Sequence, residues 1–216
     1  MTRIAAVVFD CDGTLVDSEP LARTAWERSL APYGYAIGDA EYAGLVGLPY
    51  PRVHAHFARR IPALAGPDDV WAAYSERLFA LIDAALEPFP DALEAIDDLR
   101  DRGVAVAVAS SSPRARLDRT LAAAGLAGAF AITVAGDEVA HGKPAPDMFL
   151  AAAARLGAPP ARCVAIEDSA PGVAAGIAAG MTTVGVARGP GDADALAGAH
   201  VVVERLSAAA VLAAAA

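Results

Sequence analysis

Charge is sparse in this chain and lopsided in sign. Charged residues make up 20% of the 216, with 17 Lys and Arg against 26 Asp and Glu, for a net charge of −9. No cluster of basic residues is present to track a phosphate backbone, which argues against nucleic acid as a partner. Long apolar runs are missing too. The Ala-rich tracts are interrupted by Arg, Asp or Gly, so none approaches a membrane span. The amino terminus lacks the basic n-region, apolar h-region and small-residue cleavage pattern of a signal peptide. A cytoplasmic protein with no membrane contact is therefore expected. Cysteine is scarce: Cys11 and Cys163 fall in separate predicted strands or strand tips, with neither metal-ligand spacing nor a CxxC pattern. Free structural thiols follow. The hydrophobic fraction, by contrast, is 56%, which excludes a disordered chain and supports one large domain, or a main domain with an insert.

Apolar runs of strand length occur at residues 4–9, 104–109, 131–134, 163–166 and 182–186, with a last one at 200–203. Helical periodicity fills the spaces between most of them, at 92–102, 114–124, 146–156 and 172–179, and an Ala-rich helix closes the chain. Gly103, Gly125, Gly157 and Gly180 each follow a helix, as helix-ending glycines do. Alternating strands and helices imply an α/β fold, a Rossmann-like doubly wound parallel sheet with helices on both faces. Residues 16–86 break the rhythm. They show helical periodicity around 22–30, 50–60 and 68–86 and no convincing strand, which predicts an inserted all-helical cap domain on a core of residues 1–15 and 87–216. The chain returns through Glu87-Pro88-Phe89-Pro90, where two prolines stiffen the path. An insert leaving so close to the first strand tip is expected to act as a lid.

The chemistry gathers at the strand tips. Asp10-Cys11-Asp12-Gly13-Thr14 follows the first apolar run directly, and the i, i+2 spacing puts Asp10 and Asp12 on one side of an extended chain. Open α/β sheets place their sites at this end. Taken alone, the segment also reads as a turn. After the second run come Ser110-Ser111-Ser112-Pro113 and a helix, where hydroxyls and helix N-terminal amides meet, as in an anion site or a plain N-cap. After the third, Lys143 stands in Gly142-Lys143-Pro144-Ala145-Pro146, a path braced to aim it inward. After the fourth come Glu167-Asp168-Ser169. Four carboxylates at one end of a sheet repel one another unless a hard cation such as Mg²⁺ joins them.

These segments, taken in order across essentially the whole chain, resemble the four motifs of the haloacid dehalogenase-like hydrolases. The helical insert resembles the cap of the subgroup holding phosphoglycolate phosphatase, small sugar phosphatases and β-phosphoglucomutase. The resemblance implies a Mg²⁺-dependent phosphatase of a small phosphorylated metabolite. In it Asp10 is the nucleophile that forms an aspartyl-phosphate, and Asp12 the general acid and base. It further implies that Asp10, the Asp12 carbonyl and Asp168 bind the metal, with Glu167 as a further ligand or supporting partner. Ser110, Lys143 and the weaker candidate Ser111 would hold phosphoryl oxygens.

Within that family, Ala22 occupies the position of the mutase's cap histidine, and Gly47-Leu48-Pro49-Tyr50-Pro51-Arg52 lacks a clean match to its cap arginine. Hydrolysis is therefore favoured over a phosphosugar mutase, which stays as the alternative. An inactive binding protein on the same fold is a third reading. Asp12 argues against a dehalogenase, which has no alkoxide to protonate. Glu19, Arg23 and Arg52 are candidate substrate contacts from the cap. His54 and His56 do not share a helix face and make a poor metal pair. Trp26, Trp71, Tyr74 and Phe79 are expected to be cap core rather than sugar platforms. A monomer is expected.

Overall fold

The first strand, β1 (Ala6–Phe9), is buried at all four positions. The structure is a computed structural model that describes residues 4–48, 50–189 and 191–215. After β1 come α1 (Glu19–Leu30), α2 (Asp39–Ala43), α3 (Tyr50–Ala58) and α4 (Pro67–Ala85). From there strands and helices alternate: α5 (Pro90–Asp101), β2 (Ala105–Ala109), α6 (Arg114–Ala123), β3 (Ile132–Val134), α7 (Asp147–Arg155), β4 (Cys163–Glu167), α8 (Ala170–Ala178), β5 (Thr182–Val186), α9 (Asp192–Ala195), β6 (Val201–Val203) and α10 (Ala208–Ala214). The strands form one parallel sheet in the order β3-β2-β1-β4-β5-β6. This is the doubly wound arrangement expected from the alternation, and all-apolar strands such as Ala6–Phe9 fit a sheet covered on both faces.

The covering follows from side-chain period. Ala6 and Val8 of β1, with Ala107 and Ala109 of β2, share a core with Met148, Phe149, Ala152 and Ala153 of α7 and Ala175 of α8. Val7 and Phe9 alternate to the other side of the sheet, and Phe9 meets Phe130 edge-on at 6.2 Å. Two helices carry a serine cap at their start. Ser169 and Ser207 accept from Gly172 N–H and Ala210 N–H, and Pro90 opens α5 where its missing N–H costs nothing. The four helix-ending glycines have φ of 72°, 70°, 65° and 75° in chain order.

The chain divides into two compact units, Met1–Asp17 with Glu87–Ala216, and Ser18–Leu86. The insert begins at Ser18 because Val16 and Asp17 are still tied to the first unit: Val16 bridges Asp12 and Pro88, and Asp17 N–H donates to Glu87 O at 3.2 Å. Phe89 N–H donates to Leu15 O at 2.9 Å in the same ribbon. Arg188, in the loop after β5, clamps its base. Its guanidinium grips both oxygens of Asp91 at 2.9 and 2.8 Å, donates to Thr14 O at 2.8 Å and stacks 3.9 Å from the Phe89 ring centre.

The inserted unit has its own core. Trp26 stacks on Tyr74 at 4.4 Å and lies 5.3 Å from Phe57, in a unit that also buries Leu78 and Ile82, so these rings are structural; Trp71 is 37% exposed. The five-residue α2 escaped the sequence reading because it is too short to show a helical period.

Candidate active site

Sheet topology brings the predicted segments together. β1 and β4 are neighbours where the strand order reverses, so Asp10 and Glu167 leave the sheet side by side. Asp10 N–H still pairs with Ile166 O at 2.9 Å and Ser110 N–H with Val134 O at 3.0 Å, which carries strand geometry to the first site residues. Beyond Asp10 the chain must turn under Asp168. Gly13 permits it on two counts: its φ is +82°, and a Cβ there would lie 1.9 Å from Asp168 Oδ2.

Lys143 is the chain's one lysine and its side chain is 6% exposed. The ammonium contacts Asp10 Oδ1, pairs with Glu167 Oε1 at 2.5 Å, donates to Ala109 O at 3.2 Å and lies 5.3 Å from the Phe149 ring centre. Burial alone would lower its pKa, but the charges of Asp10 and Glu167 outweigh it and raise it. The peptide bond joining it to Pro144 is cis.

Glu167 is fully buried and has two separate tasks. Oε1 faces Lys143, and Oε2 accepts from Asp168 N–H, Ser169 N–H and Ser169 Oγ at 3.1, 3.2 and 2.9 Å. Gly172 makes room for it, since a Cβ there would come within 1.9 Å of the carboxyl. Asp10, Glu167 and Asp168 each offer an oxygen within 4.8 Å of the others. Burial, reinforced by the Glu167 charge, pushes Asp168 up to about 7. Asp10 is also raised, by burial first and then by the charges of Glu167 and Asp168 working against Lys143. Clustered carboxylate oxygens, two of them on aspartates whose ionisation burial opposes, fit a hard divalent cation.

Asp12 stands apart from that cluster. Its Oδ2 accepts from Ser112 Oγ at 2.8 Å and its Oδ1 from Arg116 Nη2 at 2.9 Å. Sequence reading missed Ser112 and Arg116 as site residues. Ser112 stood in view among three serines, but nothing local marks which of them faces Asp12. Ser110 is buried and its Oγ accepts from Ser112 N–H at 3.1 Å, whereas Ser111 is exposed. Thr14 Oγ1 lies 3.4 Å from Asp168 Oδ1.

Most of the residues singled out in the insert have partners within it. Glu19 Oε1 accepts from Tyr42 OH at 2.7 Å, and Arg23 pairs with Glu27 and Asp39 at 2.9 and 2.5 Å. Arg52 is exposed on α3. His54 meets Ala65 O at 3.1 Å and His56 meets Glu41 of α2 at 2.6 Å, so each ring has a partner inside the insert. Among the described residues no helix is long and apolar enough to cross a membrane.

Comparison with known proteins adds to this geometry. Fructose-1-phosphate phosphatase YqaB of Escherichia coli strain K12 is 35% identical over 85% of this chain and 97% of its own length. Protein Suppressor of Quenching 1, chloroplastic, of Arabidopsis thaliana is 37% identical over 85% of this chain, which spans only 18% of that longer protein. The crystal structure of CbbY from Rhodobacter sphaeroides in complex with phosphate superposes with a TM-score of 0.85 at 29% identity, covering 98% of both chains. The haloacid dehalogenase-like hydrolase family matches residues 4–180. With that match running through all four strand tips that build the site, the chain belongs to the haloacid dehalogenase-like hydrolases.

Proposed function

We propose that the protein is a Mg²⁺-dependent phosphatase that hydrolyses a small phosphomonoester, of the sugar-phosphate class, through an aspartyl-phosphate on Asp10. The observation that carries this reading is the setting of Asp10 at the central strand tip, against Lys143, with Asp168 and Glu167 around it and Asp12 two residues on. An Asp10 oxygen attacks phosphorus and the bond to the leaving oxygen breaks, with Asp12 giving that oxygen its proton. A water then attacks the aspartyl-phosphate, Asp12 takes its proton, and the Asp10–phosphorus linkage opens to release phosphate. Lys143 and the Ser110–Ser111 segment hold the phosphoryl oxygens, and Lys143 also screens Asp10 from the approaching dianion.

The carboxylates of Asp10 and Asp168, with the Asp12 carbonyl, are the residues that would hold Mg²⁺; Glu167, engaged with Lys143 and the Ser169 turn, supports them. Bound there, the cation supplies the positive charge that lets a phosphate dianion meet this acidic group. Ala22 is buried in α1 and brings no proton-transfer group to the position at which a mutase would use one, which favours hydrolysis. The substrate class is drawn from the fructose-1-phosphate phosphatase YqaB and from the phosphate held by CbbY.

The test is phosphate release from p-nitrophenyl phosphate with and without Mg²⁺. The wild type should turn over only with the metal, and Asp10→Asn should release none. Equal turnover in Asp10→Asn sinks the reading. A panel of sugar, polyol and glycolate phosphates then names the substrate, and glucose 6-phosphate formed from β-glucose 1-phosphate with a bisphosphate primer would favour the mutase.

A further inference from the structure

A carboxyl group that moves protons must be held as closely as one that attacks, because transfer needs a heavy-atom approach of about 2.6–3.2 Å. Left to itself, an aspartate carboxylate turns about χ2 over a broad, shallow range. In this chain Asp12 does not turn freely: each oxygen meets its own donor, Ser112 Oγ at 2.8 Å on one and Arg116 Nη2 at 2.9 Å on the other. Two donors on two oxygens fix the plane of the group.

Both donors belong to one braced segment. Ser112 is held by its N–H on Ser110 Oγ at 3.1 Å and by its carbonyl, which accepts from Gly136 N–H at 2.9 Å. The start of α6, from which Arg116 projects, is pinned by Arg114. Arg114 N–H donates to Asp137 Oδ1 at 3.0 Å, and its guanidinium reaches Thr133 Oγ1 and Glu138 Oε1, both at 2.8 Å. Arg155 grips the same Glu138 at 2.8 Å from α7. Arg116 is therefore delivered to Asp12 by a rigid frame, and its charge persists at every working pH. Its side chain is 20% exposed, so the contact is largely shielded from solvent.

We propose that Arg116 is a positioning residue that sets the Asp12 carboxyl for proton transfer, with Ser112 as the second fixing point. This rests on Asp12 being the proton donor proposed above. A loss of position here harms the reaction in proportion to how much the leaving oxygen needs its proton, and it leaves substrate binding largely alone.

The experiment compares kcat/KM on p-nitrophenyl, phenyl and benzyl phosphate, whose leaving groups grow steadily more basic at similar size. Wild type, Arg116→Ala, Arg116→Met, Arg116→Lys, Ser112→Ala and Asp12→Ala are measured with Mg²⁺, with thermal unfolding as the folding control. The two Arg116 truncations should lose at least about tenfold more on benzyl than on p-nitrophenyl phosphate, a fraction of what a full general acid supplies. Ser112→Ala should show the same slope more weakly, Arg116→Lys should recover part of the loss, and KM should change little. Equal losses on all three substrates in the Arg116 and Ser112 variants, with a steep slope in Asp12→Ala, would overturn the positioning role alone. If Asp12→Ala itself shows no slope, the assignment of Asp12 as proton donor fails instead. Should the Arg116 truncations not fold, Ser112→Ala and Arg116→Lys decide.

Discussion

Lys143 illustrates how much one side chain carries here. It supplies the buried positive charge that Asp10 and Glu167 face, in a chain with no other lysine to take its place. Replacing it by Met should lower kcat/KM by about 10²–10³, the scale found when one transition-state donor is removed. In EDTA the same variant should lose about 3–5 kcal/mol of stability, because buried carboxylates are left facing one another. Steady-state kinetics and urea unfolding in EDTA check the two effects separately, and an unchanged stability would mean that the carboxylates accept protons without Lys143 at no cost. Its role was partly legible: Gly142 before it and two prolines after it suggested an inward lysine. The residues it reaches, across the tips of β1, β2 and β4, needed the sheet order.

At the scale of elements, Arg188 ties the loop after β5 to α5, to Thr14 O beside the first acid pair, and to Phe89 on the returning ribbon. Asp91, its partner, also accepts from Leu206 N–H at 2.7 Å at the approach to α10. Burial opposes ionisation of Asp91, but hydrogen bonds from Arg188 and Leu206 and the Arg188 charge outweigh it and hold its pKa below the ordinary 3.8. A lowered carboxylate contributes stability above its unfolded pKa and loses it as pH falls through the folded value. Arg188→Met should therefore cost about 3 kcal/mol at pH 7, by stranding a buried carboxylate, and distinctly less near pH 3. Urea unfolding at the two pH values checks this; the same penalty at both would remove the ion pair from the explanation.

The elements themselves were readable because parallel strands buried on both faces are simply apolar, and helices between them end on glycine. What was not readable joins positions far apart in the chain. Arg188 meets Asp91 over 97 residues, and Arg116 meets Asp12 over 104. No local pattern singles out an arginine for such a partner, since the pairing depends on which strands adjoin and on the rotational phase of each helix. The acid pair and Glu167-Asp168 were visible because they sit at the ends of apolar strand runs, and Lys143 because Gly142 and two prolines brace its loop; Ser112, in the loop after β2, and Arg116, in the first turn of α6, carry no such marker.

For the whole molecule, a cation that binds the folded carboxylate cluster and not the unfolded chain adds stability by mass action. At about one hundred times its dissociation constant, Mg²⁺ should add about 2.7 kcal/mol. For a chain of this size that raises Tm by roughly 5–10 °C. Asp168→Asn should abolish most of the rise, whereas a surface change such as Asp98→Asn should not, which separates the site from general screening of the −9 net charge. A rise preserved in Asp168→Asn would place the binding elsewhere.

The sheet order also fixes a sequence of events during synthesis. β1 has no neighbour nearer than β2, where Ala6 pairs with Ala105, and on its other side Ala6 pairs with Cys163. The ribosome thus releases the strand that leads into Asp10 long before anything exists for it to join, while Ser18–Leu86 emerges as one continuous piece with a core of its own. Such long loops are costly to close before distant contacts reward them, so the nascent chain should gain its helical insert first and its catalytic sheet last.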